Sequence, residues 1–275
     1  MTSTAVVHTR LLEWYAAQAR DLPWRHTRDP YAILVAEVML QQTQVDRVIP
    51  KWHAWMARFP TLASLAEASR ADAIREWQGL GYNVRAVRLH DIACQVVAEY
   101  HGHLPRSIDG LLRLKGVGRY TAGAVACFAF EQPVAMVDTN VRRVLGRVFG
   151  LEPTDVDRMA DELVPAQAAY AWNQALMDLG ATVCRAQRPL CLVCPLLAEC
   201  GGPRPMQPKP AAEFRSSSRY FRGRIIDFLR VLPSGASVLL DDLTDAVHTS
   251  PAVVRQLAED GLLEVDVENR VSLPE

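Results

Sequence analysis

The chain has 275 residues, 49% of them hydrophobic and 22% charged, enough for a sizeable core, which excludes a disordered or fibrous protein. Thirty Lys and Arg stand against 31 Asp and Glu, a net charge of −1, so a globally basic nucleic-acid binder is excluded while local patches are not. No apolar run approaches a membrane span, and residues 1–10 lack the apolar stretch and cleavage site of a secretory signal, so a cytoplasmic protein that does not enter a membrane is expected.

From Thr9 to Cys200 apolar residues recur at three- and four-residue spacing, in 31–40, 62–68, 84–98, 120–130, 140–149 and 172–183. Pro23, Pro30, Pro50, Pro60, Pro105, Pro133 and Pro153, with glycines at 79–81, 116–118 and 150, punctuate the segments. The pattern predicts an all-α body of about ten helices. Residues 201–218 are rich in Pro, Gly and Ser and read as a linker. Beyond it, helices are expected over Tyr220–Val231, from near Leu239 and from near Ser250, where Pro251 would occupy the first turn. Gly261 would stop the third helix, and 262–267 and 270–273 read as short strands. Three helices and a β-wing predict a small winged-helix-like module.

Charge is unevenly spread. Residues 101–150 carry seven basic side chains against three acidic, 201–230 seven against two, and 231–275 two against nine. Two basic zones therefore precede an acidic tail, and phosphate contact needs only the zones. The only lysines are Lys51, Lys115 and Lys209.

Four features carry chemistry. Glu37 lies on the apolar stripe of Ile33–Leu40. A carboxyl group in apolar surroundings has its pKa raised and can serve as a general acid, although a helix-edge Glu paired with an Arg is the commoner case. A Gly116-Val117-Gly118 turn joins a helix ending at Leu114 to one starting near Tyr120. Flanked by Lys115 and Arg119, it reads either as an ordinary interhelical turn or as a hairpin gripping a DNA phosphate through backbone N–H groups. Asp138 precedes a helix, as an N-cap would. One acid and one anion suit glycosidic bond cleavage through an oxocarbenium-like state, and a DNA-gripping hairpin would make the substrate a flipped nucleotide. Cys184, Cys191, Cys194 and Cys200 form C-x6-C-x2-C-x5-C. By spacing alone they suit tetrahedral zinc and a 4Fe–4S cluster about equally. Cys94 and Cys127 are expected in the core.

These residues resemble the helix–hairpin–helix DNA glycosylase superfamily, specifically its MutY-type adenine DNA glycosylases. The matching stretches are Leu22–Arg25, Asp29–Tyr31, Glu37–Val45, Gly79–Tyr82, Leu114–Ala122, Val137–Val144, Asn173–Ala181 and the cysteine loop. They cover roughly residues 9–200 in the family's order, and the resemblance turns the metal expectation to iron–sulfur, with zinc the alternative. It implies an all-α fold of two helical subdomains: 1–25 and 134–203 forming the cluster subdomain, 26–133 a six-helix subdomain with the hairpin, then the linker 204–218 and the module 219–275. It implies that Glu37 protonates adenine at N7. Asp138 would stabilise or trap the deoxyribosyl cation, and Tyr120 and Asn140 would orient these groups and the water. Trp24, Arg25 and Gln174 would line the pocket for the flipped base. Gln41, Gln42, Thr43, Leu80 and Tyr82 would enter the duplex around the opposite base, with Tyr82 as a wedge. Backbone amides of Gly116, Val117, Gly118 and Arg119 would hold phosphates, and the four cysteines would ligate the cluster, with Arg143 packed nearby.

Endonuclease III-type relatives place a Schiff-base lysine where this chain has Tyr120, which implies a monofunctional glycosylase that leaves an abasic site. The expected partner is double-stranded DNA carrying a mispair or lesion, bound by a monomer. The chain departs from the family in two places. Asn83 stands where many members have a second aromatic residue. The 57 residues from 219 to 275 are too few for the Nudix-like domain that reads 8-oxoguanine in full-length members; their basic entrance at Arg215, Arg219, Arg222 and Arg224 suits DNA backbone, and their acidic remainder suits solvent or a protein. The alternatives are a related glycosylase for mismatched thymine, uracil or an oxidised pyrimidine, and a non-catalytic iron–sulfur binder of damaged DNA.

Overall fold

The computed structural model describes residues 3–202, 214 and 217–275. Most of the expected linker, Arg215 included, lies outside the described residues. The body is helical throughout: α1 (Thr4–Gln18), a 3-10 turn at Pro23–Arg25, α2 (Pro30–Leu40), α3 (Val45–Arg58), α4 (Leu62–Glu67), α5 (Arg70–Glu76), α6 (Val84–Tyr100), α7 (Ile108–Leu112), α8 (Arg119–Phe128), α9 (Thr139–Phe149), α10 (Pro153–Met159), α11 (Ala169–Thr182) and a second 3-10 turn at Cys191–Val193. Local chemistry sets the ends. Thr61 and Ser64 form a reciprocal capping box at α4, and Gly150 ends α9 at φ 68°.

Two helices differ from the sequence pattern in instructive ways. Pro50 reads as a break but lies inside α3, where it forfeits a backbone bond; the buried stripe Val48, Trp52 and Trp55 at helical spacing outweighs that loss. α2 shows a stripe in sequence, yet every residue from Tyr31 to Met39 is buried, so the whole helix is enclosed.

The described chain gathers into two compact units. One contains the chain up to Leu34, Arg106–Leu112 and the stretch from Val117 through the cysteine loop. Its core joins Val7 and Leu11 of α1, Val144 and Val148 of α9, and Trp172, Leu176 and Leu179 of α11. The other contains Val35–Pro105, Arg113–Gly116 and the C-terminal module. Its core centres on Trp55, whose ring meets Phe59 at 5.0 Å and Trp77 at 5.4 Å, both edge-on.

The module comprises α12 (Ser218–Arg230), β1 (Val238–Leu239), α13 (Leu240–Val247), α14 (Pro251–Glu259), β2 (Glu264–Val265) and β3 (Arg270–Ser272). The sheet order is β1-β3-β2, antiparallel, with Val238 and Val265 both paired to Val271. The strand β1 went unrecognised in the sequence because two residues are too few for alternation to register. Backbone and side-chain bonds fasten the module to its own unit: Ala71 N–H donates to the Pro274 carbonyl at 2.9 Å, and Arg230 Nε to the Ile74 carbonyl at 3.0 Å. Among the described residues no helix is long and apolar enough to cross a membrane.

Candidate functional site

The candidate residues fall into three local groups. In the first, Asp138 caps α9. Its Oδ1 accepts from the Val141 N–H at 2.7 Å and its Oδ2 from Asn140 Nδ2 at 2.9 Å. Capping and pairing thus use both carboxylate oxygens, fixing their direction. Asn140 Oδ1 in turn accepts from Arg143 Nη2 at 2.7 Å, and Arg143 donates to the carbonyls of Gly180 at 2.7 Å and Cys184 at 2.8 Å. A ladder of bonds therefore runs from the cysteine loop to Asp138. It depends on Gly180, where an added Cβ would stand 2.6 Å from Asn140 Cβ. Gly180→Ala must push α9 and α11 apart and is expected to cost about 1–3 kcal/mol in denaturant unfolding and to slow any chemistry that uses Asp138. Wild-type stability and rate would show that the helices tolerate the methyl.

On α8 and α11 the Tyr120 hydroxyl donates to Met177 Sδ at 3.5 Å. Gln174 is buried on α11 beside Asn173, which bonds to Val134 O and to Met136 N–H and so holds the segment leading into Asp138. Trp24 is buried on the first 3-10 turn. Its neighbour Arg25 gives both terminal nitrogens to Asp178, at 2.8 and 2.9 Å, and one also to the Arg20 carbonyl; Arg25 Nε is buried without a hydrogen-bond acceptor among the described residues. Arg20 adds Nε at 2.7 Å and its backbone N–H at 3.0 Å to the same carboxylate.

Asp178 is fully enclosed. Burial alone would raise its pKa, but the hydrogen bonds and charges of Arg25 and Arg20 outweigh it and hold the carboxyl below the usual carboxylate range. Removing the anion leaves two guanidiniums stranded, so Asp178→Ala is expected to lose about 3–5 kcal/mol in urea unfolding at neutral pH. A group with a depressed folded pKa stabilises above its unfolded value of about 3.9. That contribution fades as pH falls through the lower folded value, so the gap between variant and wild type should close only below about pH 4. A gap independent of pH would assign the loss to packing.

The hairpin splits its two glycines by role. Gly116 sits at φ 87°, and a Cβ there would meet Arg88 at 3.2 Å, so it is needed by the turn. Gly118 is extended at the start of α8 with open space around it. Val117 is buried, and Arg119 is exposed and reaches Asp161 at 3.4 Å.

In the second group, Glu37 is 4% exposed in the enclosed helix α2. The helix ends at the 41–43 loop, where Gln41 and Gln42 are exposed and Thr43 half-buried. The 79–82 loop carries Leu80, which is buried, and Tyr82, half-buried at φ 47°. Arg85 ties the two loops together. It donates to the carbonyls of Val38 and Met39 at 2.9 Å, Gln41 at 2.6 Å, Leu80 at 3.1 Å and Gly81 at 2.9 Å, and to Thr43 Oγ1 at 3.1 Å. Burial, with a smaller contribution from the nearby positive charge of Arg219, pushes its pKa down to about 10, against the pull of Tyr82. Trp77 Nε1–H adds a bond to the Gly81 carbonyl at 3.0 Å. Asn83 accepts from Arg230 Nη2 of α12 at 2.8 Å, so the position without a second aromatic fastens the C-terminal module. Sequence reading missed Arg85, although one signal was present: it occupies the stripe 85, 89, 92, 96 of α6, otherwise filled by Leu89, Ile92 and Val96.

The third group is the cysteine loop. Cys184, Cys191, Cys194 and Cys200 line one cavity of about 30 Å³ with Arg147, Val183, Pro189 and Leu197. Among the described residues no carboxylate or imidazole shares that lining. Arg147 Nη1 and the Gly202 N–H each donate to a sulfur at 3.4 Å, Cys184 and Cys200 respectively. Burial pushes the Cys194 thiol up; a bond from Leu196 N–H opposes this, and the other three sulfurs add to it. Among the described residues no three His, Cys, Asp or Glu side chains close on a single ion; the four sulfurs ring a cavity instead. Four sulfurs in one lining, two of them accepting N–H bonds, fit the chemistry of a four-thiolate centre. Cys127 is buried, with its thiol raised to about 11 by burial against a hydrogen bond from Asn173. Cys94 is half-buried on α6 rather than enclosed.

Residues 35–166 match the HhH-GPD superfamily of base excision DNA repair proteins. Over 96% of its length the chain is 42% identical to an adenine DNA glycosylase of Mycolicibacterium smegmatis, spanning 94% of that protein. Among solved structures, a thermostable thymine-DNA glycosylase superposes at TM-score 0.69 with 32% identity, covering 72% of this chain and 95% of that one. Endonuclease III trapped as a covalent intermediate on DNA superposes at 0.63 with 25% identity, covering 73% and 97%.

Proposed function

The chain belongs to the adenine DNA glycosylases of the HhH-GPD superfamily, and from that premise we propose that it flips adenine out of mispairs with 8-oxoguanine or guanine and hydrolyses the glycosidic bond, leaving an abasic site. It is a hydrolase of base excision repair. The observation that carries the mechanism is the burial of Glu37 within an enclosed helix. A carboxyl group held at a fixed place inside the protein is positioned to act as a general acid toward a base brought against it.

Glu37 delivers that proton to N7 of adenine. The C1′–N9 bond then breaks with its electron pair moving to the base, and positive charge develops at C1′. Asp138, directed by the Val141 N–H and Asn140, stabilises that charge or traps it, and water then adds to C1′ and loses a proton. Tyr120 and Asn140 orient these groups. Trp24, Arg25 and Gln174 line the base pocket, Arg25 acting through the fixed pose that Asp178 gives it. Gln41, Gln42, Thr43 and Tyr82 enter the duplex around the opposite base, with Leu80 supporting them from beneath. Backbone amides of the 116–119 turn hold phosphates. Tyr120 offers no amine, so no Schiff base forms and the strand stays intact until treated with alkali.

Cys184, Cys191, Cys194 and Cys200 would hold a 4Fe–4S cluster, whose contribution is to fix the loop beside Arg143 and Arg147. The purified protein is expected to be brown and to carry iron and sulfide; a colourless zinc protein would contradict this assignment. As a repair enzyme it would work in the cytoplasm, at the nucleoid in a bacterium. The activity is tested by incubating duplexes with A:8-oxoguanine, A:G, T:G and U:G and then adding alkali. Cleavage at adenine only is expected. Cleavage at T:G or U:G alone would transfer the chain to a pyrimidine substrate.

A further inference from the structure

The 79–84 loop and α12 together line a cavity of about 660 Å³. Gln42, Leu80 and Tyr82 stand on one side of it, Arg219, Tyr220 and Arg224 on the other. Five arginines line it and one carboxylate, Asp227. Arg222 is neutralised by Asp260 and Arg230 by Asp227. Arg47, Arg219 and Arg224 have no carboxylate partner among the described residues; Arg224 donates to the Val247 carbonyl at 3.3 Å and lies 5.9 Å from the Tyr220 ring centroid. The Arg219 guanidinium lies 4.2 Å from the Tyr82 ring centroid, and that of Arg85 lies 5.6 Å from the same ring. The wall formed by α12 is fixed to the loop, because Arg230 bonds to both Asn83 and the Ile74 carbonyl.

Three uncompensated guanidiniums in an open groove are costly to hold together and favour a polyanion. The half-buried rings of Tyr82 and Tyr220 beside them add apolar faces that suit a nucleic-acid strand, whose bases stack as well as its phosphates pair. An acidic peptide would use the charges and leave the rings idle. We propose that this groove binds the sugar–phosphate backbone of the strand opposite the excised adenine, making α12 of the C-terminal module part of the DNA-binding surface. This rests on the proposed entry of the 79–82 loop into the duplex.

The test is a salt titration of the full chain on a fluorescent undamaged duplex and on the same duplex with an abasic analogue. Each phosphate contact contributes about 0.9 to the slope of log K against log salt, so the double variant Arg219→Glu/Arg224→Glu is expected to flatten it by about two and weaken binding at low salt roughly 10- to 100-fold. Arg255→Glu makes a charge change on the same module outside the groove and should keep the wild-type slope. Arg219→Lys keeps the charge and should keep the slope as well; thermal melting of each variant confirms folding. The proposal is overturned if the double variant matches Arg255→Glu, if Arg219→Lys is as damaging as the double variant, or if the double variant loses binding to polyglutamate while its DNA slope is unchanged. Binding to undamaged duplex does not depend on base release. A chain that releases no adenine but shows the slope change would sink the activity and keep the groove; the converse would do the opposite.

Discussion

Replacing Glu37 by glutamine is expected to leave duplex binding intact and to cut single-turnover excision of adenine by about 10²–10⁴-fold, the usual worth of a general acid. Glutamine preserves shape and hydrogen-bonding capacity, so the enclosed helix α2 should keep its packing. What it cannot do is give up a proton to the leaving base. Excision is measured at saturating protein on an A:8-oxoguanine duplex, and binding on the same duplex by gel shift. A rate within about threefold of wild type, far inside the range of general-acid effects, would remove Glu37 from the role. Lost binding would mean that the substitution had disturbed the end of α2 and the 41–43 loop instead.

The second large effect is expected at Arg85. Its guanidinium satisfies carbonyls at the end of α2 and in the 79–82 loop at once. Helix-terminal carbonyls have no intrahelical donors of their own, and their negative dipole end favours a cation. Arg85→Met keeps the apolar stem and removes the donors, leaving several buried carbonyls unmatched; the expected cost is about 3–5 kcal/mol in urea unfolding. Because two loops would lose their common tether, excision should also fall, by up to about 10²-fold for a displacement near 1 Å. Lysine has one nitrogen and three donors against the five of a planar guanidinium, so Arg85→Lys should recover only part of either loss. A variant as stable and active as wild type would show that Trp77 alone suffices to hold the 79–82 loop.

The distinction between these two residues shows what sequence can carry. Glu37 is legible because a lone acid in an apolar run stands out, and because its neighbours match a known family. Arg85 lies in a stripe just as apolar, yet its meaning depends on carbonyls that only the fold brings within reach of α6, and backbone acceptors leave no trace in side-chain identity. Asp178 is hidden for a related reason: its partners Arg20 and Arg25 are more than 150 positions away in the chain. Apolar spacing marks α2, α4, α6, α8, α9 and α11, but not α1, α3, α5, α7 or α10. Pro50 misled because tertiary burial of Val48, Trp52 and Trp55 overrides a local penalty. Asn83, which stands where many family members have an aromatic residue, accepts a bond from Arg230 of the C-terminal module, a partner that its local sequence does not show. The four cysteines were legible as a set, since spacing alone brings thiols to one loop, while the expectation of iron–sulfur over zinc came from the family resemblance.

Acid-catalysed cleavage of a glycosidic bond to adenine is the chemistry expected of this chain. The most direct measurement is chromatography of the free base released from an A:8-oxoguanine duplex by the wild-type protein and by Asp138→Asn. The expected result is one adenine for each abasic site formed by wild type, with release by Asp138→Asn slowed severely. Abasic sites without free adenine, a different base in solution, or undiminished release by Asp138→Asn would contradict it.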